Sequence, residues 1–361
     1  MVESTRLVDL VHSRIENFVA SRESIVTSIS PDLTPLVEFS RQFLSGGKRF
    51  RALFCYWGWR SVCAPDSPLS PVVGAASALE IFHAAALVHD DIIDNSDTRR
   101  GAPSAHRLFD GLHARSGWAG DDTEFGRASA ILLGDLMLGW SDELLDDALL
   151  EATDAAGARQ ARIEFNRMRT EVTAGQYLDI LEERAWVTQP DSELLDRAHR
   201  VIVYKSAKYS VLAPLVIGAA LAGATAEQLG SLREFGLPLG IAFQLRDDVL
   251  GVFGDAAVTG KPSGDDLREG KRTVLIALAR DHGSAETRTL IDELLGNPDL
   301  TESQIVRLQS AIQASGAVDR VETLIADNVA EARRVLASAP LHADAVAELG
   351  ALTDTVTRRS F

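Results

Sequence analysis

Cysteine is nearly absent. Cys55 and Cys63 are the only two in 361 residues. That is too few for a disulfide framework, so the chain is expected to be a reduced, cytoplasmic protein. Basic charge is also short, with 36 Lys and Arg against 52 Asp and Glu and a net charge of −16. So acidic a surface repels nucleic acid and anionic lipid, and neither is an expected partner. Phosphates could be held only by local Lys/Arg clusters or through metal ions. Runs of membrane length are missing too. The longest apolar stretch, Val211 to Ala224, is shorter than a bilayer span and contains Pro214, so no stable membrane insertion is expected. The opening MVESTRLVDLVHSRIE scatters charges through its apolar residues and does not read as a signal peptide.

Several catalytic signatures are missing as well. No GxSxG, GxxxxGK[ST], HExxH, CxxC or strand-borne GxGxxG occurs, which removes the motif-based hydrolase, P-loop and dinucleotide readings. Alternating strand patterns are nearly absent. Helical spacing dominates, as in Leu194, Ala198, Val201 and Ile202 behind Ser192, read as an N-cap. The breaks are short: Pro65 to Pro71, Gly111 to Gly126, Trp186 to Asp191, Gly254 to Gly270 and Gly296 to Asp299. None resembles an interdomain linker. The expectation is one all-α domain over residues 1–361, a large helical bundle with its core at about 30–340.

Against that background the charged clusters stand out. Asp90, Asp91 and Asp94 follow the apolar run GAASALEIFHAAALVH, and Asp247 and Asp248 follow LPLGIAFQLR. Both sets fall near a helix C-terminus, the end where the macrodipole disfavours negative charge. Asp90 and Asp94 lie one turn apart and repel unless a cation sits between them. Hard oxygen ligands suit Mg²⁺, and a metal-filled cavity shared by both sets accounts for their placement. Asp179, three residues beyond Gln176 inside an apolar helix, is a further candidate carboxylate. The alternative for Asp179 is a hydrogen-bonded core residue.

The basic elements fit polyanions. SGGKRFR puts Lys48 and Arg51 behind two glycines, read as one helical face. Arg99 and Arg100 follow Asp94, Lys205 falls on the apolar stripe one turn beyond Val201, and Lys261 and Lys271 flank GDD. An inward Lys needs an anionic partner. Singly, each is more often a surface residue or, for His83 and His89, a structural one. Together they describe two polyanion sites, one reached through metal ions and one held directly. No nucleophile–base pair is present, which suits departure of a diphosphate.

The motifs GGKRFR, HDDIIDNSDTRRG, LLGD, GQYLD, KSAKYS, FQLRDDVLGVFGD and GKPSGDDLREGK, in that order, resemble those of the trans-isoprenyl diphosphate synthases, or polyprenyl synthetases, and in particular the bacterial geranylgeranyl type. The resemblance implies helices around a deep central cavity and a homodimer. It implies Mg²⁺-dependent condensation of an allylic diphosphate (dimethylallyl, geranyl or farnesyl) with isopentenyl diphosphate, using about three Mg²⁺ per site. Carried over by motif, Asp90, Asp94 and Asp179 hold two metals and Asp247 a third, with Asp91 and Asp248 also in the catalytic set. Arg99, Lys205, Lys261 and Lys271 contact the allylic diphosphate, Ser206 and Gln244 line the reacting centre, and Phe243 packs beside it. Lys48, Arg51, His83 and Arg100 hold isopentenyl diphosphate. Ala85 and Ala86 leave room for the growing tail and Phe82 forms its floor, which implies geranylgeranyl diphosphate as the main product. A farnesyl or longer synthase is the alternative. A class I terpene cyclase and a non-catalytic synthase subunit are weaker rivals, the one needing no second cationic pocket and the other having lost aspartates. The chain departs from the pattern at Gly251, where many relatives carry a third aspartate; Asp255, one turn on, is a candidate substitute.

Overall fold

The computed structural model describes residues 2–64, 66–254 and 263–358. Among the described residues there are sixteen α-helices, one π-helix, three short 3₁₀ turns and a single pair of two-residue strands. The all-α expectation holds. Contacts group the chain into two compact units, residues 1–162 with 217–224 and residues 163–216 with 225–361.

The first unit is organised on α4 (Ser70–Ile93), with α1 (Val2–Ile29), α2 (Thr34–Leu44), α3 (Phe50–Arg60), α5 (Ala105–Ser116) and α6 (Asp122–Leu150) around it. From Val72 to Ala85 almost every residue of α4 is buried. By length and composition α4 could cross a membrane, but 83% of its most apolar window is buried inside the protein, so it is a core helix. Small residues let α6 lie close against it: a Cβ on Gly74 would come within 2.6 Å of that of Ala148, and Ser141 Oγ donates to Ala78 O at 2.7 Å. Gly111 is no break. It lies inside α5, and only residues 117–121 separate α5 from α6.

The second unit contains most of α7 (Ala155–Ala185), α8 (Leu194–Val201), a π-helix (Ile202–Leu212), part of α9 (Ala213–Leu221) and α10 (Ala226–Phe253). Then come α11 (Asp265–Glu269), α12 (Val274–His282), α13 (Ala285–Leu294), α14 (Glu302–Ala314), α15 (Ala317–Ser338) and α16 (Ala343–Thr357). A capping box of Thr225 and Gln228 starts α10. Ser192 does not cap α8; it lies in a 3₁₀ turn, Asp191–Glu193, and the helix begins without a side-chain cap. Leu194, Ala198 and Ile202 enter the core with Leu245, Val249 and Leu275, as their spacing requires.

Candidate active site

In the first unit the segment before α3 is held in an unusual conformation. Gly46, Gly47 and Arg49 all have positive φ, at 67°, 82° and 52°. Lys48 therefore lies in a turn ahead of the helix and not on a helical face with Arg51, which is in the first turn of α3. The turn is pinned by Glu80, a buried carboxylate of α4 that sequence reasoning missed. It pairs with Arg49 at 3.2 Å and accepts the Ala52 N–H at 3.1 Å, satisfying an orphan donor at the start of α3. Arg49 also donates to Leu44 O.

Arg99 and Arg100 are placed by the strand pair Thr98–Arg99 and Ala102–Pro103. Arg100 and Gly101 have φ of 54° and 75°, the signs a tight hairpin turn needs. Arg99 Nε donates to Asp91 Oδ1 at 2.8 Å, and its guanidinium lies 3.6 Å from Asp90. Arg100 donates to Ser45 O at 3.1 Å, and a Cβ on Gly47 would lie 3.1 Å from its guanidinium. His83 lies in this cationic field. Burial first, then the charges of Arg51, Arg100, Arg99 and Arg49, push its pKa well below the usual imidazole range. At neutral pH it is uncharged and offers one N–H donor.

Asp90 and Asp94 fall where the sequence puts them, at the C-terminal end of α4, with Asp94 capping the helix through its N–H to Asp90 O at 2.8 Å. Asp90, Asp94, His83 and Ala86 share a half-buried stripe, whereas Phe82 and Ala85 are fully buried.

In the second unit, glycines bring three helices into backbone contact. A Cβ on Gly175 of α7 would lie 2.7 Å from Lys205 Cα, and one on Gly240 of α10 would lie 2.5 Å from Ala207 O. The π-helix between them carries Lys205 and Ser206, so the α-period does not set the direction of Lys205. One turn beyond Gly175, Asp179 meets Lys205 Nζ at 2.5 Å and Lys271 Nζ at 3.4 Å. Lys271 also lies 3.5 Å from Glu183 and 3.9 Å from Glu269. Glu183 escaped notice, though its four-residue spacing from Asp179 was readable. Burial, ahead of the opposing pull of Lys271, raises its pKa.

On α10, Phe243, Gln244, Asp247 and Gly251 are partly exposed on one stripe, and Asp248 is buried. Gln244 Nε2 donates to Asp248 Oδ1 at 2.7 Å. Asp248 Oδ2 is buried with no hydrogen-bond partner among the described residues. Burial raises the Asp248 pKa well above the carboxylate range, and the charges of Asp266, Asp247 and Asp179 add to it. An orphaned carboxylate oxygen among three further aspartates fits a hard divalent cation. No three His, Cys, Asp or Glu side chains among the described residues form a ready-made cage. Lys261 and Asp255 lie outside the described residues.

Comparison with known proteins decides the class. The polyprenyl synthetase profile matches residues 34–312. The chain belongs to the polyprenyl synthetase family. It is a trans-prenyltransferase of all-α fold. It is 33% identical to a geranylfarnesyl diphosphate synthase of Aeropyrum pernix over 87% of this chain and 91% of that one. It is 29% identical to a geranylgeranyl diphosphate synthase of Saccharolobus solfataricus over 90% and 89%. Among solved structures, a geranylgeranyl pyrophosphate synthase of Corynebacterium glutamicum, complexed with isoprenyl diphosphate and magnesium, is 37% identical with a TM-score of 0.92 over 98% of this chain and 99% of that one.

Proposed function

We propose that this polyprenyl synthetase makes geranylgeranyl diphosphate by condensing an allylic diphosphate with isopentenyl diphosphate. The observation that carries the reading is the presence of two cation sets, one in each unit. Arg49, Arg51, Arg99 and Arg100 surround a neutral His83 in the first, and Lys205 and Lys271 converge on Asp179 in the second. Two diphosphates need two such sets, which disfavours a one-diphosphate cyclase. The retained Asp90, Asp94, Asp179, Asp247 and Asp248 disfavour a non-catalytic subunit.

Asp90, Asp94, Asp179 and Asp247 would hold Mg²⁺, about three ions by analogy with the family, through carboxylate and phosphate oxygens. When bound, Mg²⁺ neutralises charge developing on the departing pyrophosphate. Lys205 and Lys271 would exchange Asp179 for phosphate oxygens, and Arg99 would add its guanidinium. Lys48, Arg51, Arg100 and the His83 N–H would orient isopentenyl diphosphate so that its double bond attacks the allylic carbon. The final proton would go to the departing pyrophosphate. The protein would act in the cytoplasm as a homodimer. Ile131 and Leu132, 45% and 64% exposed on α6, are apolar surface suited to a second copy.

The small side chain of Ala86, on the stripe with Asp90, supports the product assignment, since an aromatic there would shorten the tail. Chromatography of products from dimethylallyl, geranyl and farnesyl diphosphates, each with isopentenyl diphosphate and Mg²⁺, tests the whole reading. A C20 product is expected. A main product of C15, or of C25 and longer, would refute the length, and hydrocarbon release without isopentenyl diphosphate would refute the reaction.

A further inference from the structure

The face of α7 that carries Gly175, Asp179 and Glu183 is continued, at helical spacing, by Trp186, the first residue of the 3₁₀ turn Trp186–Thr188. Two neighbouring cations lie along it. Lys271 takes the acidic part, 3.4 Å from Asp179 and 3.5 Å from Glu183. Arg272 takes the aromatic end, with its guanidinium carbon 4.8 Å from the centre of the Trp186 ring. The backbone that presents them is fixed on both sides. Gly270, φ 83°, lies so close to Gly296 that a Cβ would come within 2.8 Å of its Cα, and the Lys271 N–H donates to Asp266 O at 3.1 Å. Beyond Arg272, Thr273 caps α12 by accepting the Ile276 N–H.

The stack brings Arg272 no hydrogen bonds. Its Nε and Nη1 are buried without a partner among the described residues, and so is Nε1 of Trp186, a residue 4% exposed. Arg280, 5.9 Å from the same ring centre, is by contrast satisfied by Asp292 at 2.9 and 3.1 Å and by Asp191 at 2.6 Å. Burying unpaired donors lowers stability, and an apolar side chain would cover the ring without that penalty. What the guanidinium adds is placement. A flat group over the indole fills the Trp186 end of the face, and its charge turns the neighbouring ammonium toward the carboxylates.

Resting on the allylic-diphosphate reading above, we propose that Arg272, stacked on Trp186, is a positioning residue for Lys271: it holds the Lys271 ammonium at the Asp179 end of the α7 face, where the allylic diphosphate is to be met. Arg272 acts through Lys271. Without the stack, the Trp186 end is open to the Lys271 side chain, and the ammonium is presented to the diphosphate less often.

The test combines steady-state kinetics of the full chain, with farnesyl and isopentenyl diphosphates and Mg²⁺, and thermal melts of the metal-free protein. Arg272→Met is expected to raise the KM for farnesyl diphosphate about tenfold and leave that for isopentenyl diphosphate unchanged. Its melting temperature should equal or exceed the parent's, because unpaired buried donors are removed. Lys271→Ala is the reference. The double variant should be little worse than Lys271→Ala alone, since Arg272 acts through that lysine. Trp186→Phe keeps a ring under the guanidinium and should change the farnesyl KM less than Trp186→Leu does. If Lys271→Ala raises the farnesyl KM while Arg272→Met kinetics match the parent's, or if the two effects multiply in the double variant, the positioning role is overturned and the allylic reading stands. A lower melting temperature of Arg272→Met with both KM values shifted alike would make the stack structural only, which also overturns the role. If Arg272→Met does not fold, equal farnesyl KM values for Trp186→Phe and Trp186→Leu overturn it instead. If Lys271→Ala leaves the farnesyl KM unchanged, the allylic assignment of Lys271 falls and the proposal with it.

Discussion

Arg246 and Glu322 form a two-point ion pair, Nη1 and Nη2 reaching the two carboxylate oxygens at 2.6 and 2.7 Å, while Arg246 Nε donates to Thr357 O at 2.9 Å. Arg246 immediately precedes Asp247, yet its guanidinium is committed to α15 and the last turn of α16. In sequence it reads as one more cation beside the second aspartate cluster. In the structure it is a strut that ties α10 to the C-terminal helices. Arg246→Met is expected to lower stability by about 1–3 kcal/mol, the range for charge-assisted hydrogen bonds in a part-buried setting. The urea midpoint checks it, and an unchanged midpoint would show that the strut bears nothing.

Asp248 should make the metal-free protein sensitive to alkali. Burial raises its pKa in the folded state, so folding favours the protonated form. That contribution is fully present below the unfolded carboxylate pKa and is lost as pH rises through the raised folded value. At neutral pH the ionised side chain is a net cost. Asp248→Asn should therefore melt above the parent at about pH 7–8, with the difference fading toward about pH 4. A difference that grows on acidification would reverse the sign and refute the burial argument. In the parent, Mg²⁺ with pyrophosphate should recover most of the gap.

The two proposed diphosphate sites should separate kinetically. Lys48→Ala, on the exposed turn before α3, is expected to raise the KM for isopentenyl diphosphate with little change in kcat. Arg99→Ala also removes one partner of buried Asp91, and should lower kcat with the allylic substrate. Identical profiles for the two variants would merge the proposed sites into one.

Chain length should respond to Ala86 more than to Ala85. Ala86 is on the half-buried stripe with Asp90, whereas Ala85 is fully buried and about 140° round the helix from Asp90. Ala86→Phe should shorten the main product. Ala85→Phe should mainly destabilise, by about 1–3 kcal/mol, through overpacking. Phe82 is 5% exposed and about 80° from Asp90. If it floors the tail, Phe82→Ala lengthens the product; if product length holds and only the melting temperature drops, Phe82 belongs to packing alone. Product chromatography and thermal melts together decide between these outcomes.

Much of this protein was legible from residue order, because helices are local objects. The 3.6-residue period, the paired aspartates at the ends of apolar runs and the glycines before Lys48 all concern residues a turn or two apart. They indicated an all-α fold, two acidic clusters and two cationic ones. Reading by period failed at Lys48, because positive φ at Gly46, Gly47 and Arg49 delays the helix start; Lys205 lies in a π-helix, where the residues per turn differ, and still meets the anionic partner an inward lysine needs.

Tertiary structure alone decided which distant charges meet. The Arg49–Glu80 pair, the approach of Lys205 and Lys271 to Asp179, the Arg246–Glu322 strut and the entry of Asp266 beside Gly251 join residues from 15 to 92 positions apart. No local period encodes such pairs. They depend on where glycines let backbones touch and on how much water burial removes, and the same burial sets the protonation of His83 and Asp248. Sequence alone determined the kinds of group available for the chemistry. The packed fold decided their partners and charge states, because both depend on distance and dielectric, which are properties of three-dimensional packing.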